Sequence, residues 1–126
     1  MWGIGGKIAL YIYDQSRLIN NNPCGVYTLS KDVVLKIGQW QQLRLYIRLN
    51  SNSTQSDGIA ELWIDRKLII QRTGIPFRGE NAATVDHILF STFYGGSDAS
   101  WAPSKTTYIR FDNITLYKGK ATNLAV

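Results

Sequence analysis

The sequence predicts an all-β antiparallel fold, and three observations carry that prediction. Apolar residues recur at every second position. Clusters of Asn, Ser and Gly interrupt the chain at short intervals. No segment carries the apolar stripe of an amphipathic helix. Short alternating strands separated in this way build a sandwich or a barrel. Strands are predicted over residues 7–13, 33–37, 40–50, 58–65, 67–73, 85–94 and 107–118.

Taken in order, the first strand divides by alternation into Ile8, Leu10 and Ile12 facing a core, with Lys7, Ala9, Tyr11 and Tyr13 facing out. The run Asn20-Asn21-Asn22-Pro23 turns the chain before the second strand. The third strand places Leu43, Leu45, Ile47 and Leu49 on the core side and Arg44, Tyr46 and Arg48 on the other. That second set joins guanidinium forks, which pair with carboxylates, to a ring that stacks on sugar.

The fourth and fifth strands form a hairpin through Asp65-Arg66. A two-residue turn prefers glycine second, because both central residues adopt positive φ. An arginine there costs about 1 kcal/mol, so either the loop is longer or the residue gains something in return. The last two strands flank a long loop, in which Gly95-Gly96 permits unusual backbone geometry and Trp101 is expected to plug the core.

At 126 residues the chain is expected to form one domain, residues 1–126, large enough to bury a core. Hydrophobic residues make up 44% and charged residues 18%, a globular composition without any apolar run near the ~20 residues that span a bilayer. No membrane partner is expected, and the first residues do not read as a secretory signal. The net charge of +5 favours a polyanionic partner. Nucleic acid is not expected, because the basic residues are scattered singly among apolar ones.

Cys24 is the single cysteine, which excludes an internal disulfide and a thiol pair. No metal and no cofactor are expected: His87 is the one histidine, and Asp98 with Ser97 and Ser100 offers too few oxygens for calcium. Two triplets, at Asn52 and Asn113, match the N-glycosylation pattern, and the first lies in a polar loop.

The stretch from His87 to Tyr117 contains Ser91-Thr92-Phe93-Tyr94-Gly95-Gly96, then Trp101-Ala102-Pro103, then Tyr108-Ile109-Arg110-Phe111-Asp112-Asn113. Earlier come Met1-Trp2, Tyr11-Ile12-Tyr13, Gly38-Gln39-Trp40, Arg48-Leu49-Asn50 and Phe77-Arg78. In order and approximate spacing these resemble polysaccharide lyase family 14, the alginate and glucuronan lyases. The resemblance implies a jelly-roll-type antiparallel β-sandwich, concanavalin-like, of which this chain matches the later part only.

It also implies binding, and cleavage by β-elimination, of an acidic uronate polysaccharide. Tyr11 and Tyr13 fall on the family's catalytic tyrosines, and Lys7, Arg44, Tyr46 and Arg48 are the candidate substrate-binding residues. The family's Lys and Ser-x-Arg lie on strands ahead of the Met-Trp pair, and no counterpart occurs in these 126 residues. Two alternatives stand beside the lyase. One is a non-catalytic carbohydrate-binding module. The other is a structural protein that forms a homo-oligomer through open sheet edges.

Overall fold

A computed structural model describes residues 6–32, 34–94 and 98–119. The chain divides between Thr84 and Val85 into two compact units. In the first, strands β1 (Ala9–Ile12) and β2 (Val26–Leu29) pair antiparallel, with a one-turn helix α1 (Ser16–Ile19) between them. Strands β3 (Leu43–Arg48), β4 (Gly58–Ile64) and β5 (Lys67–Ile75) make a second antiparallel sheet with β4 in the middle.

The two sheets close on one core. Ile8 and Leu10 from the first sheet pack with Ala60, Leu62, Ile64, Ile70 and Ile75 from the second, and Ile12 and Phe77 seal the margin. The strands expected over residues 7–13, 40–50, 58–65 and 67–73 therefore form, and the class is an all-β antiparallel sandwich; Ala9, expected to face out, is instead buried, at 5% exposed.

Three differences are informative. The first is β2, a strand of four residues that the sequence reading passes over because its side chains carry no clear in-and-out alternation: all four are exposed or half-exposed. The second is residues 33–37, predicted as a strand: Val33 lies outside the described residues, and 34–37 form no strand. There the backbone hydrogen-bonds locally instead, with Gln41 Oε1 accepting from Lys36 N and Gln41 Nε2 donating to Val34 O.

The third concerns β3. The register sets Leu43 against Ile64, Leu45 against Leu62 and Ile47 against Ala60, so the aliphatic row does lie on the core side of its sheet. It is nevertheless 45–54% exposed, because β3 is an edge strand and the buried cluster gathers β1, β4 and β5 without it. Alternation fixes the side a residue points to; it does not fix what covers that side.

The Asp65-Arg66 turn has two central residues, with φ of 47° and 67°, so the strained option is the one adopted. Asp65 supplies the compensation rather than Arg66. Its carboxylate accepts from Gln42 N at 2.9 Å and from Gln41 Nε2 at 3.3 Å, and its own N–H donates to Gln42 O. The turn is thereby tied to the start of β3.

A polar clamp fastens the chain beyond β3. Asn50 is 1% exposed, donates from Nδ2 to the carbonyls of Asn52 and Arg78, and accepts from Arg78 N at 3.0 Å. The Arg78 guanidinium donates in turn to the carbonyls of Asn50, Ser51, Asn81 and Ala83. Two residues of the family pattern are thus explained structurally: they satisfy loop carbonyls that no ladder reaches.

In the second unit, residues 85–94 and 107–118 form no strand among the described residues, contrary to expectation. They do approach one another, through an edge-on Phe90–Phe111 contact at 4.6 Å and a hydrogen bond between Tyr94 and Thr107. A 3-10 turn, Ala99–Trp101, is capped by Asp98, whose carboxylate accepts from Ser100 N at 2.9 Å. Trp101 is exposed and does not plug a core.

Candidate functional site

The outward face of β1 gathers aromatic groups. Tyr11 and Tyr13, two positions apart, meet edge-on at 4.8 Å, and Tyr27, which the register sets opposite Tyr11, lies 6.2 Å from Tyr11. Ile8 and Leu10, on the opposite face of this strand, hold it against the core.

Backbone and turn position these rings. Gly25 N donates to the Tyr11 hydroxyl at 3.0 Å. A Cβ at Gly25 would stand 2.7 Å from Ile12 O and 3.2 Å from the Tyr11 ring, so only glycine allows that approach. Arg17, in α1, places its guanidinium 5.1 Å from the Tyr13 ring centre. Its turn is anchored by Asp14, a buried carboxylate that accepts from Ser16 N at 2.9 Å and lies 4.0 Å from Arg72 of β5.

The Tyr13 phenol titrates above the ordinary tyrosine value. The largest cause is its hydrogen bond to Tyr11. Partial desolvation and the neighbouring Tyr11 and Cys24 add to it, while Arg17 pulls the other way.

The remaining candidates lie elsewhere. Lys7 lies two residues before Ala9, the first of β1, and is half-buried on the tyrosine side by alternation. Arg44, Tyr46 and Arg48 share one face of β3, as expected, but it is the outward face of the other sheet, with the core between it and the tyrosines. A single basic and aromatic face combining both groups does not form, because each strand turns its apolar side to the shared core and its polar side away.

On that second face Arg44 lies 4.4 Å over the Trp63 ring, and Tyr46 pairs in register with Glu61. Buried Glu61 accepts from Trp63 Nε1 at 3.2 Å and from Gln71 Nε2 at 3.0 Å. Arg48 donates to the Asp57 carbonyl at 2.6 Å. Its guanidinium already serves the loop. Among the described residues no group of three His, Cys, Asp or Glu side chains is placed to hold a metal ion, and no helix is long and apolar enough to cross a membrane.

Sequence reasoning missed Gly25, Tyr27 and Arg17. The first two went with the unrecognised β2, although Gly-Val-Tyr-Thr-Leu after a Pro-Cys turn is a fair strand signal. Arg17 sits on a single helical turn, which is too short for periodicity to reveal.

The fold and site together define an antiparallel β-sandwich displaying paired phenols on one outer face and a guanidinium-aromatic array on the other. The chain belongs to the polysaccharide lyase 14 family, whose model matches residues 1–114. No curated protein and no solved structure matches it.

Proposed function

We propose that this domain binds an acidic uronate polysaccharide on the outward face of β1, with Tyr11 and Tyr13 as the groups that move protons in a β-elimination. The observation that carries the reading is the Tyr11–Tyr13 pair itself: two phenol rings that meet edge-on at 4.8 Å on an outer sheet face, in a chain of a polysaccharide lyase family. The net charge of +5 supports a polyanionic substrate.

The elimination removes the C5 proton of a uronate, breaks the bond from C4 to the glycosidic oxygen and leaves a C4=C5 double bond. A proton must reach the departing oxygen. A phenol whose pKa is raised stays protonated, so Tyr13 fits the role of proton donor and is ill suited to act as base. Tyr11, whose oxygen accepts from the Gly25 amide, is then the phenol that takes the C5 proton, which it does as the phenolate, becoming the neutral phenol as Tyr13 gives its proton to the departing oxygen.

Incubation with alginate or glucuronan tests the reading, because the unsaturated product absorbs in the ultraviolet. An absorbance gain that Tyr13→Phe abolishes supports it. Retention on a polyuronate gel without any absorbance gain across pH would leave a carbohydrate-binding module. Absence of both would refute the reading.

A second reading is favoured by one feature. The exposed row Leu43, Leu45 and Ile47 lies on an edge strand whose only strand neighbour among the described residues is β4. Pairing of two copies along β3 would cover it. Light scattering that finds a monomer at all concentrations would dismiss this reading.

A further inference from the structure

The aromatic face does not end at β1. Tyr27 of β2 stands opposite Tyr11 in the register, so its side chain leaves the sheet on the same side as Tyr11 and Tyr13. The three rings form one row, with centres 4.8 Å apart from Tyr13 to Tyr11 and 6.2 Å apart from Tyr11 to Tyr27. Both spacings fall in the range of favourable edge-on ring pairs.

Packing does not account for Tyr27. Its side chain is 47% exposed, and among the described residues the buried cluster includes none from β2. The backbone beneath it is nevertheless fixed. β2 is joined to Tyr11 twice, through the ladder and through Gly25 N, which donates to the Tyr11 hydroxyl at 3.0 Å. A tyrosine mounted in this way has only its own side-chain torsions to order when a ligand arrives, so its exposed ring meets a partner at low entropic cost.

A pyranose presents C–H groups on its faces and hydroxyls at its rim. An exposed phenol ring takes the C–H face by apolar contact and leaves the hydroxyls in water. The step from Tyr11 to Tyr27 is comparable with the length of one sugar unit, so a polymer that crosses from β1 to β2 brings its next ring to Tyr27.

We infer that Tyr27 is a substrate-contacting residue, the apolar platform for the sugar next to the one whose C5 proton Tyr11 takes. This rests on the reading of the tyrosine face given above, and it adds a direction for the polymer, across the two strands. Gly25 and Tyr27 then divide the work of β2: the first holds Tyr11 and the second holds sugar.

The test measures the affinity of the whole chain for a uronate oligomer by calorimetry, with Tyr13→Phe present throughout so that the ligand stays uncut. Adding Tyr27→Thr, which keeps a strand-forming residue and removes the ring, should weaken binding roughly 5- to 30-fold. Tyr27→Phe keeps the ring and should bind nearly as the parent does, and Tyr27→Trp should match or exceed it. The loss in Tyr27→Thr should be the same at low and high salt, because no charge is removed. With Tyr13 restored, Tyr27→Thr should raise KM and leave kcat in place.

If Tyr27→Thr folds and binds as the parent does, the role of Tyr27 is overturned while the tyrosine face stands. A loss in Tyr27→Phe as large as in Tyr27→Thr would assign the contact to the hydroxyl and overturn the platform. A lowered kcat at unchanged affinity would show that Tyr27 acts only through Tyr11, which also overturns it. Should Tyr27→Thr fail to fold by circular dichroism, weaker binding by both Tyr27→Phe and Tyr27→Trp would still refute the platform. No uronate binding by wild type or by Tyr13→Phe would refute the underlying reading first.

Discussion

Replacing Asn50 with alanine tests the account of how the loops beyond β3 are held. The side chain is 1% exposed and makes three hydrogen bonds: Nδ2 to Asn52 O at 2.6 Å, Nδ2 to Arg78 O at 3.0 Å, and Oδ1 from Arg78 N at 3.0 Å. Each such bond contributes about 1 kcal/mol net, and a partner left dry and unpaired costs about 1–3 kcal/mol. Asn50→Ala should therefore destabilise the fold by about 3–5 kcal/mol, toward the lower figure where water reaches the vacated carbonyls. Asn50→Asp should do no better, because it sets a carboxylate against two carbonyl oxygens. Urea unfolding followed by far-ultraviolet circular dichroism gives the number. A loss below about 1 kcal/mol with an unchanged m-value would refute the clamp, showing that Arg78 holds these carbonyls unaided.

Arg66→Gly removes a left-handed arginine from a turn already fixed by Asp65, and should stabilise by about 0.5–1 kcal/mol, raising Tm by ~2–5 °C; a lowered Tm would show that Arg66 earns its place. Gly58→Ala should be severely destabilising, because its Cβ would stand 2.3 Å from Ile75 O and 2.7 Å from the Phe77 ring; an unchanged melting curve would contradict that packing. Phenolate absorbance should show Tyr13 titrating above the ordinary tyrosine value, with Tyr11→Phe bringing it down, and a titration unmoved by that change would show that Tyr11 is not the cause. The raised folded-state value sets the sign of the linkage. The stabilisation from Tyr13 is fully present below pH 10 and is lost as pH rises through the folded value. Asp57 acts in the opposite sense. Its carboxyl is lowered chiefly by the Ser51 N–H, so its contribution is present above about pH 4 and fades as pH falls through the folded value, which an acid melt should register.

The strands legible in the sequence were those with an aliphatic row buried on one side. Leu10 and Ile12, and then Ala60, Leu62 and Ile64, announced β1 and β4 because the core they share imposes period two. Lys67 to Thr73 was legible for a different reason, as the return from a tight turn along β4, and β5 runs two residues further, to Ile75. What escaped was structure whose cause is not periodic. β2 is held by pairing with β1 rather than by burial, and α1 by a single aspartate. The two tyrosines were legible through the family pattern, and alternation correctly set them on one face. Their separation from Arg44 and Arg48 was not, because periodicity gives each strand two sides without saying which sheet the strand joins.

The position of the core explains why the tyrosine face is better ordered than the arginine face is available. β1 presents its apolar side to β4 and β5 and its phenols to the outside, so every buried methyl on Ile8 and Leu10 also holds Tyr11 in place. Asp14, two residues past that strand, ties the Arg17 turn toward Arg72 of β5, 4.0 Å away. On β3 the same logic works in reverse. There the aliphatic row lacks cover, and the guanidinium groups opposite are engaged with Trp63 and Asp57. Cations committed to an indole face and a loop carbonyl must give up existing contacts before they can hold a ligand.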